Sequence, residues 1–246
     1  MVIYFSKDSK ELGAQAAEVT AKTINEAIEK NGEARIVLST GASQFDTLEA
    51  LIKKDVDWSK VTMFHLDEYI DLPESHMASF RKYLKERFIS KVNLKSAHLV
   101  NGEGDVNKNI KELTALLREK PIDVGLIGIG QNGHIAFNDP PADFETQEAY
   151  HIVNLDDRCK KQQVSEGWFA AVDDVPKQAI SMTASEIMKC KVIISAVPGS
   201  VKAEAIKNTL SNNLTNSVPA TLLKTHANFN LFIDNDSAKD IMIKAL

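Results

Sequence analysis

The stretch Ala34-Arg-Ile-Val-Leu-Ser-Thr-Gly-Ala-Ser43 decides the fold class, because it joins an apolar run to a glycine turn and the start of a helix. A short apolar run that ends in turn residues is typical of a buried strand. Ser43 is predicted to cap a helix over 43–53, since a serine side chain can accept a hydrogen bond from a free backbone N–H group. The stretch therefore predicts a strand over 34–38 followed directly by a helix, as in βαβ units.

The same alternation of apolar runs and amphipathic stretches continues through the chain. Further strands are predicted over 2–5, 61–66, 122–127, 150–155, 192–197 and 228–233. Further helices are predicted over 9–30, 77–90, 106–119, 158–166 and 201–210. This order predicts an α/β protein with a doubly wound, mostly parallel sheet and helices on both faces. Because no Pro-, Gly- or Ser-rich linker interrupts it, residues 1–246 are expected to form a single domain.

The composition and charge of the chain indicate which kinds of molecule it is expected to bind. Of the 246 residues, 43% are hydrophobic and 26% charged, which is typical of a globular protein and excludes a disordered or collagenous chain. The net charge is −5 and the basic residues are scattered, so neither nucleic acid nor a membrane is expected as a partner. Cys159 and Cys190 lack metal-ligand spacing and no apolar run is long enough for a membrane span, so a cytoplasmic protein without a metal is expected. A small molecule is the expected partner.

Two junctions between a strand and a helix are predicted to bind an anion, because free N–H groups at a helix start attract negative charge. The first junction consists of Thr40, Gly41, Ala42 and Ser43. The second contains Lys202 in the first turn of its helix, where a cation is unfavourable unless an anion binds there too. The two junctions are interpreted as two arms of a phosphate site. An ordinary turn and a solvated lysine are the alternative interpretations.

The segment His65-Leu-Asp-Glu-Tyr69 places two carboxylates, Asp67 and Glu68, directly after a strand. Ligands of open α/β sheets bind at the carboxyl ends of the strands. A carboxylate that is screened from water there has a raised pKa and can serve as a general base. The segment therefore indicates acid–base chemistry, with a solvated acidic pair as the alternative.

The segment Gly128-Ile-Gly-Gln-Asn-Gly-His-Ile-Ala-Phe-Asn-Asp139 fits the pattern GxGxxG after a strand. A dinucleotide site would need a helix at the last glycines, but Asn138-Asp-Pro-Pro141 follows too soon for one. A nicotinamide cofactor is therefore not expected. The glycines, Gly133 among them, are predicted to let the backbone approach a ligand and to present His134, which can exchange protons near neutral pH. The loop over 130–149 is interpreted as an active-site lid.

Together and in this order, five segments resemble the glucosamine-6-phosphate deaminase (isomerase) family. They are Thr40-Gly-Ala-Ser43, Leu66-Asp-Glu-Tyr69, the glycine-rich segment over 128–140, Val175-Pro-Lys-Gln-Ala179 and Gly199-Ser-Val-Lys202. The resemblance covers residues 39–233. It implies a modified Rossmann-like α/β fold and the conversion, without a cofactor, of an amino-sugar phosphate to a ketose phosphate and ammonia.

The resemblance also implies roles for individual residues. Asp67 matches the general base that moves the proton on carbon 2 to carbon 1 through an enolamine-type intermediate. His134 matches the histidine that assists ring opening. Family members hold the phosphate at the positions of Thr40, Gly41, Ser43 and Lys202. Glu68 and Tyr69 are expected to have structural roles or to support the residues that contact the substrate.

Three positions depart from the family's pattern. Asn132 stands where an acidic residue is usual, and an amide cannot ionise. Asp139 stands where Glu is usual, so its shorter side chain must approach by a different path. Both residues are expected to tune His134. Gln163 lies near a position that often carries a phosphate-binding Arg, and the candidate substitutes are Arg158, Lys160 and Lys161.

Three other functions stay open at this stage. Asn before Gly-His is also similar to the galactosamine-6-phosphate branch, so the sugar epimer is open. The 6-phosphogluconolactonases share a related fold and a Gly-His loop, although they usually continue with small hydroxylated residues rather than Ile135-Ala-Phe-Asn138. A sugar-phosphate-binding protein without catalysis is the third alternative, and Asn132 is its best support. Whether the chain forms a homo-oligomer is also open.

Overall fold

The computed structural model describes residues 1–165 and 167–241, except for the side chains of Arg158 and Gln162. The described strands are β1 (Val2–Ser6), β2 (Ala34–Leu38), β3 (Val61–His65), β4 (Asp67–Tyr69), β5 (Ser96–His98), β6 (Val124–Leu126), β7 (Tyr150–Asn154), β8 (Gln178–Met182), β9 (Val192–Val197) and β10 (Phe229–Asp234). The α-helices are α1 (Ser9–Asn31), α2 (Phe45–Leu51), α3 (Phe80–Arg87), α4 (Val106–Arg118), α5 (Asp157–Ser165), α6 (Ala184–Ile187) and α7 (Ala203–Ser211).

Seven strands form one sheet in the order β1-β10-β9-β6-β2-β3-β5, and every neighbouring pair in it is parallel. The other three form a small antiparallel sheet in the order β4-β8-β7. The predicted α/β class with a mostly parallel sheet is therefore confirmed. Because the loops of parallel strands leave from one edge, those after β9, β6, β2 and β3 lie side by side.

Hydrophobic residues of the large sheet alternate between its two faces. Ile36 and Leu38 of β2 pack in one core with residues of α1, α2 and α3, whereas Val37 packs in a second core with residues of α4 and α7. Successive side chains of a strand point to opposite faces, so the two cores lie on opposite sides of the sheet. Helices cover both faces, as predicted. Among the described residues, no helix is long and apolar enough to cross a membrane.

The strands that the sequence analysis did not predict are β4, β5 and β8. β4 carries two adjacent carboxylates, which are depleted in strands, and β5 is three residues long. β4 and β8 pair antiparallel at Asp67 and Ser181, far apart in sequence. The small sheet is therefore stabilised by contacts that no local pattern indicates.

The prediction that Ser43 caps the following helix was wrong. Ala42–Gln44 forms a 3₁₀ turn, and α2 begins only at Phe45 without a side-chain cap. Ser43 lies inside this turn, where its Oγ accepts a hydrogen bond from Gln44 Nε2 at 3.1 Å. In the helix predicted over 158–166, Glu166 lies outside the described residues, as do residues 242–246 of the expected domain.

The α1 and α2 helices approach closely at Gly13. A Cβ atom at this position would lie 2.6 Å from the backbone carbon of Asp46, so a side chain there would push the two helices apart. Glycine is otherwise unfavourable inside a helix, by about 1 kcal/mol relative to alanine. The close packing of α2 against α1 therefore explains why position 13 is glycine, which helix propensity disfavours.

We expect Gly13→Ala to lower the free energy of unfolding by about 1–2 kcal/mol, because overpacking costs more than the gain in helix propensity. Urea unfolding curves of the variant and the wild type measure this difference. The exposed neighbour Ala14 provides the control, since Ala14→Gly tests helix propensity without the contact. A stabilised Gly13→Ala variant would contradict the close approach.

Candidate active site

Loops from four neighbouring strands surround one cavity of about 500 Å³. It lies at the carboxyl ends of β9, β6, β2 and β3 and is lined there by Pro198, Gly199, Gly128, Ile129, Gly130, Gln131, Ser39, Leu66 and Asp67. The small sheet, α3 and α5 add side chains to the wall. The cavity therefore occupies the place where ligands of open α/β sheets bind.

The turn after β2 forms one wall of this cavity. The predicted residues all line it: Thr40, Gly41, Ala42 and Ser43. Gly41 has a φ of 102°, a conformation that favours glycine, and its carbonyl accepts a hydrogen bond of 2.9 Å from the Tyr83 hydroxyl. Gln44 Nε2 donates to the Ala196 carbonyl at 3.1 Å. These contacts hold the turn against β9 and α3.

Lys202 lines the same cavity from the turn after β9. It ends the 3₁₀ helix Ser200–Lys202 and is 8% exposed. The preceding Gly199 has a φ of 89°, and its N–H donates to both carboxylate oxygens of Asp234, at 3.0 and 3.1 Å. The two predicted arms of the phosphate site therefore face one cavity. Asp234 belongs to β10, and no sequence pattern indicated its role.

Asp67 lines the cavity from the first position of β4, where the chain passes from the large sheet to the small one. It is 6% exposed. Burial, together with the negative charge of Glu68, raises the pKa of Asp67 to about 8. A carboxyl group with such a pKa can take up and release a proton near neutral pH.

His134 also lines the cavity, and it fits there because residue 130 is glycine, where a side chain would collide with the imidazole ring. Its Nδ1 lies 3.1 Å from Asp139 Oδ1, although the N–H direction does not align as in a hydrogen bond. Asn132 Nδ2 donates to the same Oδ1 at 2.8 Å, and Asn132 Oδ1 accepts from the His134 backbone N–H at 3.0 Å. Asp139 therefore reaches His134 despite its shorter side chain.

Asn132 and Asp139 stand behind His134 rather than in the cavity wall. Burial acts to raise the pKa of Asp139, but contacts from His134, Asn132 and Cys159 outweigh it, so this pKa is lowered. A carboxylate that stays ionised can stabilise a protonated imidazole. Gly133, with a φ of 82°, does not line the cavity; its carbonyl accepts from the Ala220 N–H at 2.8 Å. Its role in binding stays a prediction.

The loop after Gly130 packs against the small sheet. The Phe137 N–H donates to Ser181 Oγ at 3.0 Å, and Asn138 Nδ2 donates to the Met182 carbonyl at 2.8 Å. Ile135 and Phe137 are buried. These contacts attach residues 135–138 to the small sheet, and Ala136 and Phe137 line the cavity. The interpretation of the whole loop over 130–149 as a lid stays a prediction.

Gln163 of α5 lines the cavity, and its Oε1 accepts a hydrogen bond of 2.8 Å from the Tyr69 hydroxyl. Lys160 and Lys161 do not line it, and the side chain of Arg158 lies outside the described residues. Sequence reasoning did not find Phe80 and Trp168, which also line the wall. No local pattern distinguishes them from ordinary core aromatics.

The two turns predicted to bind an anion face a buried carboxylate and a histidine across one cavity, an arrangement suited to acid–base chemistry on a phosphorylated small molecule. Residues 7–232 match the model of the family described as glucosamine-6-phosphate isomerases/6-phosphogluconolactonase. The chain is 36% identical to a glucosamine-6-phosphate deaminase of Staphylococcus epidermidis, over 96% of this chain and 98% of that one. A deaminase of Lactobacillus delbrueckii subsp. bulgaricus is 32% identical, over 97% and 98%.

Solved structures agree with these relatives. The structure of a monomeric glucosamine-6-phosphate deaminase superposes with a TM-score of 0.88 at 29% identity, covering 98% of this chain and 100% of that one. A 6-phosphogluconolactonase from Shewanella baltica has a TM-score of 0.77 at 20% identity, covering 95% and 97%, which shows a shared fold alone. The protein belongs to the glucosamine-6-phosphate isomerase/6-phosphogluconolactonase family, as the sequence motifs predicted.

The raised pKa of Asp67 predicts how stability depends on pH. The folded state holds the carboxyl proton of Asp67 more tightly than the unfolded state does. The stability that this proton contributes is complete below the unfolded pKa of about 4. That stability is lost as the pH rises through about 8. We therefore expect Asp67→Asn to gain stability relative to the wild type as pH rises, by at most about 1.4 kcal/mol per pH unit.

Urea unfolding at several pH values between about 5 and 9 measures this difference. Asp67→Ala serves as the control, because it also lacks the titrating group while losing more packing. The difference in the free energy of unfolding between Asp67→Ala and the wild type should change with pH in parallel with that of Asp67→Asn. The two differences should be separated by a constant amount. A difference that does not vary with pH would refute the raised pKa.

Proposed function

We propose that this protein converts glucosamine 6-phosphate and water to fructose 6-phosphate and ammonia. The observation that carries the proposal is that the buried carboxyl group of Asp67 faces one cavity together with His134 and the two turns predicted to bind an anion. The 32–36% identity to deaminases over most of the chain supports it.

The phosphate of the substrate binds between the turn over 40–43 and Lys202. Backbone N–H groups and the ammonium group of Lys202 supply the positive potential that a phosphate requires. This contact fixes one end of the sugar, so its reacting carbons lie between Asp67 and His134. Holding the substrate in one orientation lowers the entropic part of the barrier.

His134 assists opening of the sugar ring by moving a proton between the anomeric hydroxyl and the ring oxygen, with Asp139 stabilising its protonated form. Asp67 then takes the proton from carbon 2, which gives an enolamine, and returns it to carbon 1. The resulting imine at carbon 2 adds water and loses ammonia, which leaves the ketose phosphate. The sequence consumes one water and needs no redox partner.

A binding protein without catalysis would not benefit from Asp67 in this position. Burial of a carboxylate costs stability, and natural proteins keep such costs chiefly at functional sites. The lactonase alternative has the shared fold and the Gly133-His134 pair in its favour, but here the loop continues with Ile135-Ala-Phe-Asn138 rather than with small hydroxylated residues. The proposal includes a cytoplasmic enzyme that acts on a small sugar phosphate without metal, cofactor or nucleic acid.

The proposal is tested by ammonia release from glucosamine 6-phosphate and galactosamine 6-phosphate, assayed in parallel without added metal or nucleotide. We expect release from at least one of them, and the preferred sugar identifies the epimer. Asp67→Asn should lower kcat by about 10²–10⁴-fold while substrate binding persists, because the variant keeps the shape but loses the base. Acid production from 6-phosphogluconolactone, without ammonia release from either sugar, would instead identify a lactonase.

Lys202→Met tests the phosphate site separately. Since the ammonium group contacts a part of the substrate that does not react, we expect KM to rise at least about 10-fold with a much smaller change in kcat. Lys161→Met removes an exposed lysine outside the cavity and should leave both constants unchanged. An unchanged KM in Lys202→Met would exclude Lys202 from phosphate binding.

A further inference from the structure

Directly behind Asp67, a fully buried carboxylate joins β4 to the start of α3. Glu68 has no exposed surface, and its Oε2 accepts hydrogen bonds from Ser79 Oγ at 2.8 Å and from the Arg81 backbone N–H at 2.9 Å. Its Oε1 accepts from the backbone N–H groups of Tyr69 at 3.0 Å and Phe80 at 3.2 Å. The carboxylate therefore binds the free N–H groups of the first turn of α3.

The Arg81 guanidinium completes the environment of Glu68. Its Nε lies 3.2 Å from Glu68 Oε2, while its other nitrogens donate to Asn101 Oδ1, to the Leu72 carbonyl and to Glu103 Oε2 at 2.8–3.0 Å. Apart from the Ser79 hydroxyl, the groups that contact the carboxylate are N–H donors, which cannot accept a hydrogen. The anionic form of Glu68 is the one that satisfies all of them.

This ion pair fixes two walls of the cavity at once. Asp67 and Glu68 are adjacent in β4, so their side chains leave the strand on opposite sides. Asp67 faces the cavity, and Glu68 faces the start of α3, whose first residue, Phe80, also lines the cavity. A shift of Glu68 would therefore move the carboxylate and the aromatic ring together.

We propose that Glu68 is a positioning residue for Asp67: paired with Arg81, it holds β4 and α3 together and keeps a fixed negative charge behind the base. The catalytic part of this inference rests on the proposed function. Burial raises the pKa of Glu68 above its ordinary value, and the donors from Arg81, Ser79, Phe80 and Tyr69 offset only part of this effect. The charge of Glu68 in turn makes Asp67 hold its proton more tightly.

Other charged or titratable groups also surround Asp67. In the part of the chain that the structure describes, they are His134, Lys202 and Asp46 in the cavity wall, Tyr150 of β7 and Cys159 of α5. Burial raises the pKa values of Tyr150 and Cys159, so both are neutral near neutral pH. Besides burial, the negative charge of Glu68 raises the pKa of Asp67.

The test is Glu68→Gln, measured by the pH profile of kcat/KM and by the ¹³C resonance of the Asp67 carboxyl carbon, which Asp67→Asn assigns. Loss of the charge should move the acid limb of the profile and the titration of that resonance to lower pH by about one unit. A purely structural role would lower kcat or stability and leave both midpoints in place. Unchanged midpoints in a folded variant would therefore overturn the proposal.

Arg81→Lys is the second variant, because it keeps both charges while a lysine cannot make all four contacts of the guanidinium. We expect kcat to fall about 5–10-fold with an unchanged acid limb, since the attachment of α3 is weakened and the charge of Glu68 remains. An unchanged kcat would overturn the positioning role even if Glu68→Gln fails to fold.

Glu103→Gln is the matched control, because Glu103 contacts the same guanidinium but is 45% exposed. It should leave kcat and both midpoints unchanged. If the wild type releases no ammonia, the proposed function fails. The resonance of Asp67 still decides the role of Glu68 in that case, because it is measured without substrate.

Discussion

The parallel pairing of β2 with β3 on one side and β6 on the other determines where every group of the cavity lies. Leu38, the last residue of β2, stands opposite His65 of β3 and Leu126 of β6. Each strand therefore ends at the same level, and its next residues enter one space. A shift of one residue in either pairing would turn the alternating side chains to the wrong face and separate the turn over 40–43 from Asp67.

The small sheet depends on this register, and it brings Asp67 and the loop of His134 to the cavity. β3 ends at His65, and β4 begins two residues later with Asp67, so the chain leaves the large sheet at the cavity. β8 pairs with β4 and also anchors the His134 loop, because Ser181 lies opposite Asp67 and accepts a hydrogen bond from the Phe137 N–H. A single strand thus fixes the distance between Asp67 and the loop of His134, which come from distant parts of the sequence.

Local sequence patterns predicted the elements that are buried continuously. The observed bounds of β2 and β9 coincide with the predicted ones, because both are apolar runs bounded by turn residues. Strand β4 of the small sheet could not be predicted this way, since Asp67-Glu-Tyr69 has the composition of a polar loop. It forms a strand because β8 pairs with it and because five donors, two of them from Arg81, stabilise the buried Glu68.

The residues of the candidate site also divide into those that local sequence indicates and those that depend on contacts between distant segments. Thr40, Gly41, Ser43 and Lys202 were identifiable because a turn before a helix has a local signature, and Asp67 and His134 because they belong to recognisable motifs. Asp234, Phe80 and the contact between Tyr69 and Gln163 depend on the approach of distant segments. The prediction that Ser43 caps the helix was wrong, and distant segments are again involved. The turn over 40–43 contacts Tyr83, its neighbour Gln44 contacts Ala196, and Ala42–Gln44 forms a 3₁₀ turn there.

The environment of His134 shows how the two departures from the family's pattern compensate each other. Asn132 cannot supply a charge, but its amide donates to Asp139 Oδ1, the oxygen that also lies beside His134 Nδ1. The Oδ1 of Asn132 accepts a hydrogen bond from the His134 backbone N–H. The amide of Asn132 therefore orients both the Asp139 carboxylate and the loop that carries the imidazole. Because the donors around Asp139 keep its pKa low despite burial, the shorter carboxylate stays ionised beside the ring. One carboxylate and one amide therefore suffice to hold His134 with a negative charge at Nδ1.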